Sequence, residues 1–246
     1  MLEWKEAPTM TPDNYLSRKK QLVRTFDKLL ARVQPRVIAW LGEEQANRFM
    51  QESRQEYEDL IPRIPFIGNN ALTLSFFFPT TRYLAVYRAL QRQGRTIEEA
   101  GRLVYLMGAE EARAIPYIVR RFMEYLWFSR LFRQLLKRRA TRSQRRRYPG
   151  DSVINYVEGD GREFNYGVDY LECANCKFLQ AENAFELAPY ECATDKPISK
   201  LMGWGLTRTM TIAEGFPKCD FRFKKGGKTR VPIPPSLQAL PGTESA

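Results

Sequence analysis

The chain has 246 residues, 43% hydrophobic and 13% aromatic, enough apolar material for one large domain or two small ones and too much for wholesale disorder. It carries 39 Lys and Arg against 28 Asp and Glu, a formal charge of +11, and no histidine. Within the chain this excludes Ser-His-Asp and Cys-His nucleophile pairs, His-ligated metal sites and an imidazole proton shuttle. Chemistry has to run on Cys, Asp, Glu, Lys, Arg or Tyr, or on a metal held by sulfur and oxygen.

Residues 1–10 read as a loose arm that is charged from the start, without the basic-then-apolar pattern of a secretion signal. No apolar run reaches membrane-spanning length, since Ala71–Leu90 is interrupted by Pro79, Thr80, Thr81 and Arg82. These features predict a cytoplasmic protein with reduced thiols. Thr11-Pro12 is a helix start, and Leu16, Leu22, Val23, Phe26, Leu29, Leu30 and Val33 follow at helical spacing. Pro35 is expected to interrupt, with a second helix running on to Leu60. Pro62 and Pro65 mark a loop. A third helix is predicted over Ala71–Gln93, with a break or bend at Pro79 and Gly94 just past its end. Thr96-Ile97-Glu98-Glu99 reads as a capping box for a fourth helix over 97–109. A fifth starts near Ala112, takes Pro116 in its first turns and reaches Arg139 or beyond.

After Tyr148-Pro149-Gly150 the pattern alternates. Val153–Val157 and Phe164–Tyr170 form a hairpin around Glu158-Gly159-Asp160-Gly161, followed by short helices over 177–187 and 195–202 and strands over Leu206–Ile212 and Lys218–Lys224. The expected class is α+β: an N-terminal helical half, then a small antiparallel sheet with two short helices in the order β-β-α-α-β-β. The chain divides into a helical region 1–147, an α+β region 148–230 and a flexible tail 231–246.

Arg130–Arg147 holds nine Lys and Arg and no acid, so the rest of the chain, +11 less nine, is near +2. Aromatic residues lie just upstream: Phe122, Tyr125, Trp127, Phe128 and Phe132. The segment is read either as the solvated end of a helix or as a docking site for an acidic protein or anionic surface. No specific nucleic-acid motif accompanies it.

The remaining signals fall between Glu172 and Phe223. If Arg208 shares an inward strand face with Leu206, Met210 and Ile212, its guanidinium needs a carboxylate from Asp195, Asp220 or a ligand. The four cysteines, Cys173, Cys176, Cys192 and Cys219, could form a sulfur site for zinc, could be small buried apolar residues, or could supply a nucleophile. Cys192 is the nucleophile candidate, since it lies near an expected helix start with Arg208 close by, and Asp195 could pass a proton.

Glu172-Cys173, Cys192-x-x-Asp195, Leu206-Thr207-Arg208-Thr209-x-Thr211-Ile212-x-x-Gly215 and Cys219-Asp220-Phe221-Arg222-Phe223 together resemble the L-2-amino-thiazoline-4-carboxylic acid hydrolase family. Tyr83–Leu90, Gly94 and Ile97–Ala100 are similar to that family's N-terminal part, and the resemblance spans roughly residues 70–225. Cys176 lies outside the shared pattern, as do the basic segment and the tail. The resemblance implies hydrolysis of a small cyclic isothiourea carrying a carboxylate, in which water adds to the carbon between N and S and the C–S bond opens. It implies catalytic Cys192, Asp195 and Cys219, substrate contacts from Arg208, Asp220 and Arg222, and, if zinc is present, ligands Cys173, Cys192 and Cys219. Competing expectations are a non-hydrolytic ligand-binding module loosely similar to 4-vinyl reductase domains, and an interaction subunit that docks through Arg130–Arg147.

Overall fold

The computed structural model describes residues 13–238, so the arm at 1–10, the start at Thr11-Pro12 and residues 239–246 of the tail lie outside the described residues. Helix α1 (Asp13–Leu16) leads into α2 (Lys19–Leu41), and Pro35 sits inside α2 instead of ending it. The ring removes one donor at a cost of about 3 kcal/mol. Val33, Val37 and Leu41 carry the buried stripe across it, at about 1.5–3 kcal/mol each, and outweigh that loss. The break falls at Gly42, whose φ of +80° suits a residue without Cβ, and α3 (Glu43–Leu60) follows.

Helix α4 (Ala71–Arg92) starts where the Asn70 side chain accepts the Thr73 N–H at 3.0 Å, and it runs unbroken through Pro79. The capping box of Thr96 and Glu99 forms as expected and opens α5 (Ile97–Arg113). The expected fifth helix is two, α6 (Tyr117–Trp127) and α7 (Arg130–Ser143). Pro116 precedes the first, and the Ser129 hydroxyl accepts the Phe132 N–H at 3.1 Å to start the second. Among the described residues no helix is long and apolar enough to cross a membrane.

The second half is α+β, as expected. Strands β1 (Val153–Glu158) and β2 (Tyr166–Glu172) form the hairpin. Three short helices follow where two were expected: α8 (Ala174–Ala181), α9 (Ala188–Ala193) and α10 (Asp195–Met202). Strands β3 (Leu206–Thr207) and β4 (Cys219–Phe223) complete an antiparallel sheet in the order β1-β2-β4-β3. The strand expected over Leu206–Ile212 stops at Thr207. The Asp220 carboxylate accepts the N–H groups of Thr209 and Met210 at 2.8 and 2.7 Å, which pulls the chain off the ladder, and Ile212–Glu214 turns into a 3-10 helix.

Register sorts the sheet's two faces. Tyr166, Val168 and Tyr170 pair with Phe223, Phe221 and Cys219 on one face, while Gly167 and Asp169 pair with Arg222 and Asp220 on the other. Tyr166, Phe223 and Trp204 build one apolar cluster with Leu136 and Ala140 of α7. A larger cluster joins α2–α5 to Phe178, Leu179, Leu187 and Ala193, so the N-terminal helices share a core with α8 and α9. Of residues 231–238, Val231 and Leu237 are buried, and α11 (Pro235–Gln238) lies against α5.

Two glycines of α5 set how closely α9 and α10 approach. A Cβ on Gly101 would lie 2.1 Å from the Tyr190 ring, and one on Gly108 would lie 2.7 Å from Cβ of Thr194. Alanine should gain about 1 kcal/mol of helix propensity at either position. Overpacking against these neighbours should cost about 1–3 kcal/mol. Gly101→Ala and Gly108→Ala are therefore expected to lower the midpoint of thermal unfolding; a raised midpoint for both would show that the contact has slack.

Candidate active site

A cavity of about 340 Å³ opens between α4, α6, α7 and the inner sheet face. Its two ends differ. Trp127, Phe132, Trp204, Phe221 and Phe223 line one part, where Trp127 and Trp204 stack at 4.4 Å and 12°. Cys173, Asn175, Glu191, Cys192, Asp195 and Cys219 line the other. Arg139 is the one basic side chain in the lining among the described residues.

Arg208 is 3% exposed. Its Nη1 donates to Oδ2 of Asp195 and, at 3.2 Å, to the carbonyl of Cys192, and the guanidinium lies over the Phe221 ring at 5.4 Å. Asp195 is thus the partner that the buried charge requires, and Arg208 ties β3 to the junction of α9 and α10. Burial raises the Asp195 carboxyl while Arg208 lowers it, and it comes to rest at about 6. Asp195 keeps 27% of its side chain accessible, on the cavity side.

Glu191 is a second acid in the same wall, and the sequence reading passed over it. Its Oε1 accepts from Asn175 Nδ2 at 2.8 Å and from Thr80 Oγ1 at 3.0 Å. Burial, followed by the negative charge of neighbouring Cys173 and Asp195, pushes its carboxyl up to about 8, so the group holds its proton at neutral pH. The available signal was an acid within Ala188-Pro189-Tyr190-Glu191-Cys192-Ala193, a segment otherwise suited to burial.

The thiols rank differently from the sequence expectation. Cys192 lies in the last turn of α9, three residues before α10 begins at Asp195. The Cys176 hydrogen bond and the nearby Arg208 charge favour its thiolate, but burial and the Glu191 charge outweigh them and raise it overall. Cys173 occupies the N-cap of α8. A hydrogen bond from the Cys176 thiol, with the backbone N–H groups of Cys176 and Asn175, stabilises its thiolate against burial and brings it down to about 7. The partner Cys176 is held protonated. Cys219 lines the cavity, but burial pushes its thiol up, and its sulfur accepts the Ile212 N–H at 3.3 Å.

Asp220 and Arg222 are not brought to the cavity. Both sit on the opposite sheet face, where Asp220 holds the Thr209–Met210 backbone and Arg222 Nη1 reaches Asp169 at 2.8 Å. Nor do Cys173, Cys192 and Cys219 suit a zinc ion: among the described residues no three Cys, Asp or Glu side chains are placed to hold one metal. The thiols of Cys173 and Cys192 are engaged with Cys176, and that of Cys219 with backbone.

The model of the family described as L-2-amino-thiazoline-4-carboxylic acid hydrolase matches residues 79–223, a span that runs from Pro79 within α4 to the end of β4 and takes in every polar residue of the cavity wall named above. No curated protein and no solved structure gives a significant match.

The Glu191 proton has a thermodynamic signature. Between the ordinary value of 4.5 and about 8, the folded state holds a proton that the unfolded state has lost, so stability falls as pH rises through that window. Glu191→Gln keeps the acceptor for Asn175 and Thr80 and removes the titration. The variant is expected to gain on the parent by on the order of 4 kcal/mol between pH 4.5 and 8 in denaturant unfolding. Parallel stability curves would show that Glu191 is ionised in the folded protein.

Proposed function

Since the chain belongs to the L-2-amino-thiazoline-4-carboxylic acid hydrolase family, we propose that its cavity hydrolyses a small cyclic isothiourea- or amidine-type carboxylic acid. The observation that carries this reading is the meeting of a low-pKa thiol, Cys173, with two carboxyl groups of raised pKa, Glu191 and Asp195, in one cavity wall. A cyclic amidine is cationic when protonated, and carboxylates beside its nitrogens favour that form. The proposed roles are these. The Cys173 thiolate adds to the carbon between N and S, while Glu191 gives its proton to the ring nitrogen. Collapse of the adduct breaks the ring C–S bond, and the electron pair leaves on sulfur. Asp195 then takes one proton from water, whose oxygen adds to the same carbon; the adduct expels Cys173 as the hydroxyl proton passes to the released sulfur, and the proton on Asp195 restores Glu191. The product is a carbamoyl group on nitrogen and a free thiol; one hydrogen of water ends on nitrogen and the other on the released sulfur.

Arg208 is a positioning residue in this scheme: it is not in the cavity lining, and its Nη1 holds Asp195 and the Cys192 carbonyl while Nε is buried without a partner among the described residues. Cys192 and Cys219 shape the wall around the reacting carbon. The substrate carboxylate is assigned to Arg139, whose Nη2 chelates Asp151 and whose Nε reaches Thr73, which leaves Nη1 without a partner among the described residues. The aromatic end of the cavity favours a second reading, retention of an apolar ligand without hydrolysis.

Incubation with 2-amino-thiazoline-4-carboxylate is expected to release free thiol. Cys173→Ser should lower the rate by roughly a thousandfold or more, with Cys192→Ser retaining most of it. The rate should rise as pH passes about 6 and then about 7, where Asp195 and Cys173 ionise, and fall above about 8, where Glu191 loses its proton. Absence of turnover by the folded protein would overturn the reaction, and loss of turnover in Cys192→Ser alone would move the nucleophile there. A preparation that carries a bound chromophore and releases no thiol would favour the second reading.

A further inference from the structure

Exposed large hydrophobic side chains are normal when scattered, but here they are concentrated. Of the 14 found among the described residues, nine lie between Tyr117 and Leu135. On α6, Ile118 is 81% exposed, Tyr117 68%, Tyr125 64% and Phe122 59%; on α7, Leu131 is 66% and Leu135 52%. Ile118, Phe122 and Tyr125 share one stripe of α6, and Leu131 and Leu135 share one stripe of α7. Ile118, Phe122 and Tyr125 are not reserves of the core: α6 turns its other side inward, with Trp127 against the cavity and the Glu124 carboxylate buried.

The charge next to this face has one sign. Arg130, Arg138, Arg142, Arg145 and Arg147 are exposed, and none has a carboxylate within ion-pair distance among the described residues. The segment's charge is therefore only partly neutralised within the chain: Lys137, Arg139 and Arg146 pair with Glu158, Asp151 and Glu172. A second copy of the chain on this face would bring two such arginine clusters together, which like-charge repulsion opposes. Large apolar and aromatic side chains bordered by unpaired arginines match the composition of helices that lie in the headgroup layer, where tyrosine is favoured and acidic headgroups neutralise the cations.

We propose that α6 and α7 dock the protein on an anionic membrane surface, with Ile118, Phe122, Tyr125, Leu131 and Leu135 entering the headgroup boundary and Arg130, Arg138, Arg142, Arg145 and Arg147 facing the lipid phosphates. Because α6 also walls the cavity, docking sets the aromatic end of the cavity beside the lipid. The proposal does not rest on the hydrolytic reading.

The test is co-sedimentation of the full chain with vesicles of pure phosphatidylcholine and with vesicles of two parts phosphatidylcholine to one part phosphatidylglycerol. Binding to the anionic vesicles is expected to be tenfold or more stronger and to weaken with added salt. Ile118→Glu with Phe122→Glu, both at exposed positions, should abolish it. Arg138→Ser with Arg142→Ser and Arg145→Ser should weaken it roughly tenfold or more. Circular dichroism checks that each variant is folded, and if the glutamate pair unfolds, Ile118→Ser with Phe122→Ser takes its place. Equal or absent binding to the two vesicles, or binding indifferent to both sets of substitutions, overturns the proposal. So does a dimer in sedimentation velocity that the glutamate pair dissolves without any vesicle binding, or capture by polyglutamate alone.

Discussion

A guanidinium buried among apolar side chains has to be neutralised, and in this fold that requirement governs the polar end of the cavity. Arg208 leaves β3 pointing inward, and Asp195, thirteen residues earlier, meets it. The same guanidinium holds the Cys192 carbonyl, so one charge fixes the end of α9, the start of α10 and the sheet edge together. Removing one partner of such a pair strands the other in low dielectric, at a cost of about 3–5 kcal/mol. The pair places Asp195 at the cavity wall with its pKa above the usual aspartate range and part of its surface open. Glu191, four residues back along the chain, falls on the same wall and is shifted further because no cation faces it directly.

Close packing sets the other side. Gly101 and Gly108 let α9 and α10 lie against α5, and the N-cap of α8 is held by a different device: the Ala174 N–H donates to the Ser152 hydroxyl at 2.9 Å, next to the Asp151–Arg139 pair. Cys173 is thereby presented to the cavity with helix N–H groups at its sulfur. The cavity is a boundary between two chemistries, with thiols and carboxyl groups on one wall and stacked tryptophans on the other.

Much of this was legible in the residues. Helical and alternating periodicity located the two halves, the capping box at Thr96 and Glu99 formed as written, and the need of Arg208 for an acid pointed to Asp195 among its partners. The family motif marked Cys173, Cys192, Cys219 and Asp195, all of which line the cavity. The errors have physical causes. Pro35 is expected to interrupt a helix whose buried stripe carries it on to Leu41, and a break at Pro79 is likewise not seen. Strand alternation was extended to Ile212 because it carries no information about Asp220, whose side chain captures the backbone of Thr209 and Met210 from across the turn. Asp220 and Arg222 belong to the motif yet face away from the cavity, since two residues flanking Phe221 cannot share its face. The N-cap position that lowers Cys173 depends on where α8 begins, a boundary that periodicity does not resolve in a helix of eight residues.

Cys176 and the start of α8 lower the Cys173 thiol below the other cysteines of the cavity. The most direct measurement is site-resolved alkylation with iodoacetamide across pH, read by peptide mass spectrometry. Cys173 is expected to react first, with a midpoint near 7 that moves up in Cys176→Ala. Alkylation that begins at Cys192, or a Cys173 midpoint at the ordinary thiol value of 9.0 or above, would contradict it.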